Sequence, residues 1–308
     1  MARDIDEVLE RRRLRRRGRF WRFAAILFAV VALVVAIDRA GVSPIRGERI
    51  ARLTIEGTIV DDPVMIEGIG DLAEDDSVAA VILHVDSPGG TVSGSEALYE
   101  SLRDLAEVKP LAVTVGSVAA SGGYIAAIAG DHIVARRNSI TGSIGVIFQS
   151  PDVSGLLDTL GVRVDEIKSA PLKGQPTGLS PMSDEVREAM RELLEDSFAW
   201  FRNLVAERRG LSAEEIASVS DGRVFTGGQA VELGLVDAVG GEDAAIAWLE
   251  ETRGVAPDLP VVPYDPGSIF EQEAGLLGQA LAGAARLLRR EAGLSVDGLV
   301  SVWQPTVR

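Results

Sequence analysis

Residues 77–90, SVAAVILHVDSPGG, join a nearly continuous apolar run to a glycine-rich turn. A strand that is apolar at successive positions is buried on both faces, which is typical of parallel sheets with helical cover. The turn ends in Gly89-Gly90, and glycine lets a backbone N–H group approach a ligand because it has no Cβ. The stretch therefore predicts a buried strand that presents backbone amides at one end of a parallel sheet.

The flanking sequence repeats this alternation of short strands and helices. Residues 49–60, 111–115 and 132–135 have strand patterns, and residues 93–105 and 121–129 have helical ones. Short apolar strands that alternate with helices predict an α/β fold with a mostly parallel sheet. Further along, Ser183 and Gly210 are placed to cap the two ends of a long helix.

A second glycine-rich turn, Ala119-Ala120-Ser121-Gly122-Gly123, follows the strand pattern at 111–115. If a helix begins at Ser121, its unpaired amides lie beside the serine hydroxyl, which is the design of an oxyanion hole. Either turn alone is equally consistent with a tight connection that has no chemical role. Two such turns, one of them carrying a serine, favour a catalytic site.

The choice of a base for this serine is narrow. The chain has no cysteine, which excludes a thiol nucleophile and a cysteine-ligated metal, and its histidines are His84 and His132. Both histidines fall in strand patterns, so we interpret them as structural. A lysine can act as a base when burial away from carboxylates lowers its pKa.

Three lysines are available as the base. Lys173 lies in a stretch with few charges and several loop formers. This favours Lys173 as the lysine whose side chain enters a site from which water is excluded. Lys168 follows Glu166 closely and Lys109 precedes Pro110, so both are interpreted as surface residues.

The N-terminal segment predicts a membrane anchor. Residues 1–22 contain nine arginines and four acidic residues, and residues 23–37 (possibly from 20) form an apolar run. We expect one transmembrane helix with the basic segment in the cytoplasm and the body outside. A cleaved signal peptide is the alternative. Residues 38–48 read as a linker. The whole chain has a net charge of −15 although residues 1–22 are basic, so the residues after the anchor are strongly acidic. This argues against nucleic acid as a partner.

The C-terminal part, residues 256–308, predicts a linker and then an amphipathic helix. Four prolines mark the linker, and apolar residues from 270 to 288 repeat at spacings of four and three. Such a seam packs on its own domain, on another copy of the chain or along a membrane surface. The pattern leaves these alternatives open.

Five segments together resemble the signal peptide peptidase SppA family over residues 50–245. They are VILHVDSPGGTV (81–92), GSVAASGGYIAA (116–127), SITGSIGVI (139–147), IKSAPLKGQPTGLSPMS (167–183) and DGRVFTGGQAVELGLVDAVGG (221–241). The resemblance implies a peptidase domain at 49–255 with a ClpP/crotonase-like fold, an α/β spiral of ββα units. It also implies a serine endopeptidase that needs no metal or cofactor.

By this resemblance Ser121 is the nucleophile and Lys173 the general base. Gly90 and Gly122 would supply the oxyanion amides, and Ser143 would orient the lysine amine. Ala170 and Gln175-Pro176 depart from the family pattern around the lysine.

The short form of the family implies a homo-oligomer in which neighbouring subunits assemble the Ser–Lys dyad. The expected partners are the cytoplasmic (inner) membrane and peptide substrates, either remnant signal peptides or other apolar unfolded segments. Two rival functions remain at this point: a crotonase-type acyl-CoA enzyme and an inactive peptide-binding membrane scaffold.

Overall fold

Three long parallel strands form the centre of a nine-stranded sheet in the computed structural model, which describes residues 47–266 and 300–302. The strands are β1 (Arg49–Ile59), β2 (Val78–Thr91) and β3 (Leu111–Ala120). β2 lies between the other two and is largely buried, as its apolar sequence predicted. The mixed α/β architecture fits the predicted ClpP-like fold.

The remaining elements cover this sheet or extend it. In chain order they are α1 (Pro63–Glu74), α2 (Val92–Val108), α3 (Gly122–Ala127), β4 (His132–Ala135), β5 (Ile140–Gly142), α4 (Ser154–Leu160), α5 (Asp184–Arg209), α6 (Ala213–Val219), β6 (Val224–Thr226), α7 (Gly227–Glu232), β7 (Ala238–Val239), α8 (Glu242–Arg253), β8 (Val261–Tyr264) and β9 (Val300–Val302).

β3 divides the sheet because its two halves have different partners. Its first half pairs with β4, from Ala112 to Val115, and its second half pairs with β5, from Val118 to Ala120. Gly116 lies between the halves, where an added Cβ would stand 2.9 Å from the Asp86 side chain. The ends of β2 and β3, which pair at Ser87 and Ala119, therefore carry both glycine turns to the same place.

The core has two parts, one on each face of the sheet. The larger part contains the fully buried side chains of Tyr124 and Phe201, from α3 and α5. On the opposite face, Ala245 and Leu249 of α8 pack on apolar residues of the central strands. Burial of this kind is the dominant stabilising term in folding, and it fixes the strands that carry the candidate site.

The predicted long helix is confirmed, since Ser183 caps α5 and Gly210 ends it in the left-handed conformation. α1 was not predicted. Its N-cap, Asp62, accepts hydrogen bonds from the N–H groups of residues 64 and 65, and Pro63 occupies the first turn, where a missing N–H costs nothing. β8 pairs with β1 inside the segment whose prolines predicted a linker.

The predicted basic segment, anchor at 23–37 and C-terminal amphipathic helix lie outside the described residues. Among the helices of the described part of the chain, none has both the length and the apolar character needed to span a bilayer.

Candidate active site

Ser121 lies at the junction of β3 and α3 in a strained backbone conformation. Its φ of 56° and ψ of −119° are unusual for a residue with a side chain, and such strain costs about 1–3 kcal/mol. Its N–H donates to the Gly142 carbonyl at 2.8 Å, and its own carbonyl accepts from the N–H groups of Tyr124 and Ile125 at 2.9 and 3.0 Å. These bonds hold the serine in place at the start of α3, which confirms the predicted tight turn.

The two glycine turns are in direct contact. A Cβ added to Gly122 would lie 2.3 Å from the Ser95 hydroxyl and 3.0 Å from the Gly90 nitrogen. A Cβ added to Gly90 would lie 1.7 Å from the Ile59 carbonyl oxygen. Only glycine fits at either position, and the backbone N–H groups predicted to form the oxyanion hole lie on neighbouring segments.

Ser87 links these segments through its hydrogen bonds, and its role was not predicted from the sequence. This fully buried residue donates its hydroxyl to the Gly57 carbonyl at 2.6 Å and accepts from the Gly89 N–H at 3.1 Å. A Cβ on Gly123 would stand 2.4 Å from the Ser87 carbonyl oxygen. A buried serine immediately before a glycine turn was the signal that could have found it.

Asp86 and Ser95 complete the support of the turns and were also missed. The Asp86 carboxylate accepts from the Val118 N–H at 3.1 Å, which links the end of β2 to the second half of β3. The buried Ser95 hydroxyl donates to the Thr91 carbonyl at 2.8 Å and lies against Gly122. The turns are thus positioned by side chains that need not touch a substrate.

Ser143 lies next to this site. It follows Gly142, whose carbonyl accepts from the Ser121 N–H. It is 9% exposed, has a positive φ of 53° and donates its N–H to the Arg223 carbonyl at 2.8 Å. The structure therefore brings Ser121, Gly90, Gly122 and Ser143 into one region.

Lys173 has a different setting. It lies in an exposed turn of the lysine segment, which we define as residues 145–182, and no residue of this segment is buried. Its backbone N–H donates to the Ala170 carbonyl at 3.1 Å, but its amine makes no hydrogen bond or ion pair with any described residue. Lys168 forms an ion pair with Glu166 at 2.5 Å. Among the described residues, the amine of Lys173 therefore has no bonded partner.

Both histidines have contacts that explain their positions. His84 lies 3.0 Å from the Thr114 hydroxyl. His132 stacks on Trp248, with 4.8 Å between the ring centroids, and burial lowers its pKa although Asp237 opposes this shift. These contacts agree with the structural role that the sequence suggested for the two residues.

A serine at a strained strand-to-helix turn, beside paired glycine amides, is typical of enzymes that transfer acyl groups. Residues 103–256 match the model of peptidase family S49. A candidate protease of Methanocaldococcus jannaschii is 34% identical over 82% of this chain and 85% of its own. A candidate protease of Synechocystis is 36% identical over 68% and 76%. The chloroplastic serine protease SPPA of Arabidopsis thaliana is 31% identical over 83% and 38%.

The chain belongs to peptidase family S49, and it is a serine-type peptidase related to SppA. This confirms the resemblance drawn from the five segments. It favours the peptidase prediction over the acyl-CoA enzyme, which shares the glycine turns but not the family.

Proposed function

We propose that the protein is a membrane-anchored serine endopeptidase that hydrolyses remnant signal peptides or other apolar unfolded segments with a Ser121–Lys173 dyad. The observation that carries the proposal is the strained position of Ser121 beside the Gly90 and Gly122 amides. Buried side chains hold those amides in place. This agrees with catalysis by fixed dipoles, because preorganised donors need not reorient during the reaction.

The reaction follows from these groups. The neutral Lys173 amine takes the proton of the Ser121 hydroxyl while Oγ attacks the substrate carbonyl carbon. The N–H groups of Gly90 and Gly122 stabilise the oxyanion. Lys173 then gives its proton to the leaving amine, and an acyl-enzyme remains. Lys173 then takes a proton from water, which attacks the acyl carbon. The bond to Ser121 Oγ breaks, Lys173 returns the proton to Oγ, and the acid leaves. The Ser143 hydroxyl holds the lysine amine in position.

A second copy of the chain would complete the site. The lysine segment exposes large apolar side chains that the described part of the chain does not cover, namely Ile147, Val153, Leu156, Leu160, Val162, Val164, Ile167, Leu172 and Leu179. A concentration of exposed apolar side chains marks an interaction site. In a homo-oligomer, burial of this surface would also give Lys173 the dry surroundings that a lysine base needs.

The dyad and its assembly are tested together by mixing inactive variants. Ser121→Ala and Lys173→Ala should each abolish cleavage of an apolar fluorogenic peptide, whereas Lys168→Ala should leave it unchanged. If the dyad forms between subunits, co-assembly of the two inactive chains restores part of the activity, because some sites combine an intact serine with an intact lysine. Activity retained by Lys173→Ala would contradict the dyad. Inactivity of every mixture would contradict its assembly between subunits.

The membrane part of the proposal rests on residues 1–37. The basic segment followed by the apolar run supports a cytoplasmic N-terminus and a peptidase domain on the outer side of the cytoplasmic membrane. We expect the full chain to stay in the membrane fraction after an alkaline wash. External protease should reach residues of the peptidase domain in spheroplasts, and protection of the domain would reverse the proposed orientation.

A further inference from the structure

The strand that leads to Ser121 is held by side-chain hydroxyls as well as by neighbouring strands. The Thr141 hydroxyl donates to the Ala119 carbonyl at 2.8 Å. The Ser139 hydroxyl donates to the Gly116 carbonyl at 2.6 Å. Both hydroxyl side chains are buried, and a buried carbonyl without a donor is costly. The hydroxyls therefore stabilise the half of β3 that pairs with β5 and ends at the nucleophile.

Thr141 is followed along the chain by two residues of the candidate site. The Gly142 carbonyl accepts from the Ser121 N–H at 2.8 Å. The next residue, Ser143, is the proposed support of the lysine amine, and its N–H donates to the Arg223 carbonyl at 2.8 Å. Residues 141–143 thus contact the strand before the nucleophile and the nucleophile itself, and then reach the proposed position of the base.

The backbone of residues 141–143 is fixed on two sides. β5 pairs parallel with β3 and antiparallel with β6. A Cβ added to Gly142 would lie 2.8 Å from the Phe225 side chain of β6, and Gly142 and Ser143 both have a positive φ, of 87° and 53°. A closely packed segment of this kind moves as a unit, so a shift at Thr141 would also move the two residues that follow it.

We propose that Thr141 is a positioning residue for the peptidase reaction and that its hydroxyl sets the distance between Ser121 and Ser143. The inference rests on the proposed function, because Ser143 matters only if a lysine amine binds there. Thr141 acts through the Ala119 carbonyl and does not contact the reacting atoms. A misplacement of about 1 Å between reacting groups can lower a rate about a hundredfold.

Two buried threonines of the same sheet allow a matched comparison. Thr141→Val removes the hydroxyl with little change in shape. Thr114→Val makes the same change in the first half of β3, where the Thr114 hydroxyl lies 3.0 Å from a His84 ring nitrogen. Both variants should lower the melting temperature to a similar extent, because each loses a hydrogen bond of a buried hydroxyl. Only Thr141→Val should lower kcat, by about tenfold to a hundredfold, with KM within about twofold.

The conservative variant tests whether the hydroxyl is responsible. Thr141→Ser keeps the hydroxyl and loses a methyl group, so kcat should stay within about threefold of the unmodified chain. Thr141→Ala should reproduce the low kcat, and it takes the place of Thr141→Val if that variant does not assemble. Labelling of Ser121 by a fluorophosphonate probe measures the reactivity of the nucleophile without a peptide. The labelling rate should fall with kcat in the variants that lack the Thr141 hydroxyl.

A double variant tests the coupling to Ser143. In a Ser143→Ala background, Thr141→Val should lower kcat less than it does in the unmodified chain, because the residue whose distance it sets is already lost. An equal loss of kcat in the two backgrounds would overturn the proposed action through Ser143.

The outcomes separate this inference from the proposed function. With an active unmodified chain, a normal kcat in Thr141→Val would overturn the positioning role. Equal losses of kcat in Thr141→Val and in either Thr141→Ser or Thr114→Val would also overturn it. An unmodified chain with neither turnover nor labelling of Ser121 would overturn the proposed peptidase function itself, and with it a role of Thr141 in that reaction. Circular dichroism and sedimentation of each chain show that fold and assembly are retained.

Discussion

The two residues of the proposed dyad lie in regions of opposite character. Ser121 is 1% exposed, and hydrogen bonds to its backbone fix it between a strand and a helix. Lys173 lies in the lysine segment, where no side chain is buried and the only helix, α4, has no buried residue. The described chain thus holds Ser121, the proposed nucleophile, in a fixed geometry, and leaves Lys173, the proposed base, on an exposed surface.

This difference indicates where regulation can act. The geometry around Ser121 is set by folding, because glycine contacts and buried side chains determine it. The surroundings of Lys173 would be set by the proposed assembly, because cover by a second copy would exclude water there. An isolated subunit should therefore have a formed oxyanion site and no activity.

The largest expected effect is on Ser121. Ser121→Ala and Ser121→Gly should each lower kcat/KM at least about a thousandfold, because the nucleophile is lost. Only glycine also relieves the positive φ, so Ser121→Gly should be more stable than Ser121→Ala by about 1 kcal/mol. Denaturant titration measures this difference, and equal stability would show that the backbone strain is absent.

The second prediction compares the effect on stability of a glycine-to-alanine change in a glycine turn with the same change in the lysine segment. Gly90→Ala forces a Cβ to within 1.7 Å of the Ile59 carbonyl oxygen, and such overpacking costs about 3 kcal/mol or more. Gly155 in α4 has no atom within 4 Å of the added Cβ and an ordinary φ. Gly155→Ala should stabilise by up to about 1 kcal/mol. Similar losses of thermal stability in both variants would contradict the described contact.

A third change separates folding from assembly. Ile167 is fully exposed in the lysine segment, and Val108 is 64% exposed at the end of α2. Ile167→Asp should leave the melting temperature of a dilute monomer unchanged but weaken self-association and peptidase activity about tenfold or more. Val108→Asp is the matched control and should change neither. Analytical ultracentrifugation checks both, and an unchanged oligomer in Ile167→Asp would place the interface elsewhere.

The smallest expected effect is a pH dependence of the free energy of unfolding, which arises at Asp237. Asp237 accepts from the Ile133 N–H at 2.7 Å and from Arg209 at 2.6 Å. Burial raises its pKa, but these bonds outweigh burial and hold the pKa below its ordinary value. A carboxyl with a lowered folded-state pKa stabilises the fold above its unfolded pKa, and this stabilisation is lost as pH falls through the folded value.

Asp237→Asn should therefore cost about 1–2 kcal/mol at pH 7, and the cost should shrink below about pH 4. Urea titrations at pH 7 and pH 3 measure both values. Asp104→Asn, on the exposed side of α2, is the control and should have little effect at either pH. A cost that stays constant between the two pH values would contradict the role of the carboxylate.

The sequence predicted the parts of the fold whose physical causes are local. The apolar run of β2, the two glycine turns and the Ser183 and Gly210 caps of α5 all depend on neighbouring residues, and the structure confirms them. The placement of Gly90 beside Ser121 and Gly122 was implied by the family resemblance and not by a local pattern, and the contact between the two turns agrees with it.

The rest depends on contacts between distant residues. The division of β3 between β4 and β5 and the pairing of β8 with β1 join segments whose partners no local pattern identifies. The roles of Ser87 and Asp86 depend on Gly57 and Val118, about thirty residues away. α1 was missed although Asp62-Pro63 is a helix-start signal. The role of Lys173 as the base remains a prediction, since its amine makes no hydrogen bond or ion pair with a described residue.

The hydrogen bonds of Ser87 and Asp86 bear on the order in which a damaged molecule would lose its activity and its fold. The Gly89 N–H donates to Ser87 in a buried hydrogen bond, and the Val118 N–H donates to Asp86 in a partly buried one. A buried amide exchanges with solvent only when a large part of the fold opens. The lysine segment, with no buried residue, opens first. With Lys173 as the base, a heated or damaged molecule would lose that base while Ser121 is still in place. It would become inactive before it unfolds, and it would not cleave neighbouring proteins as it fails.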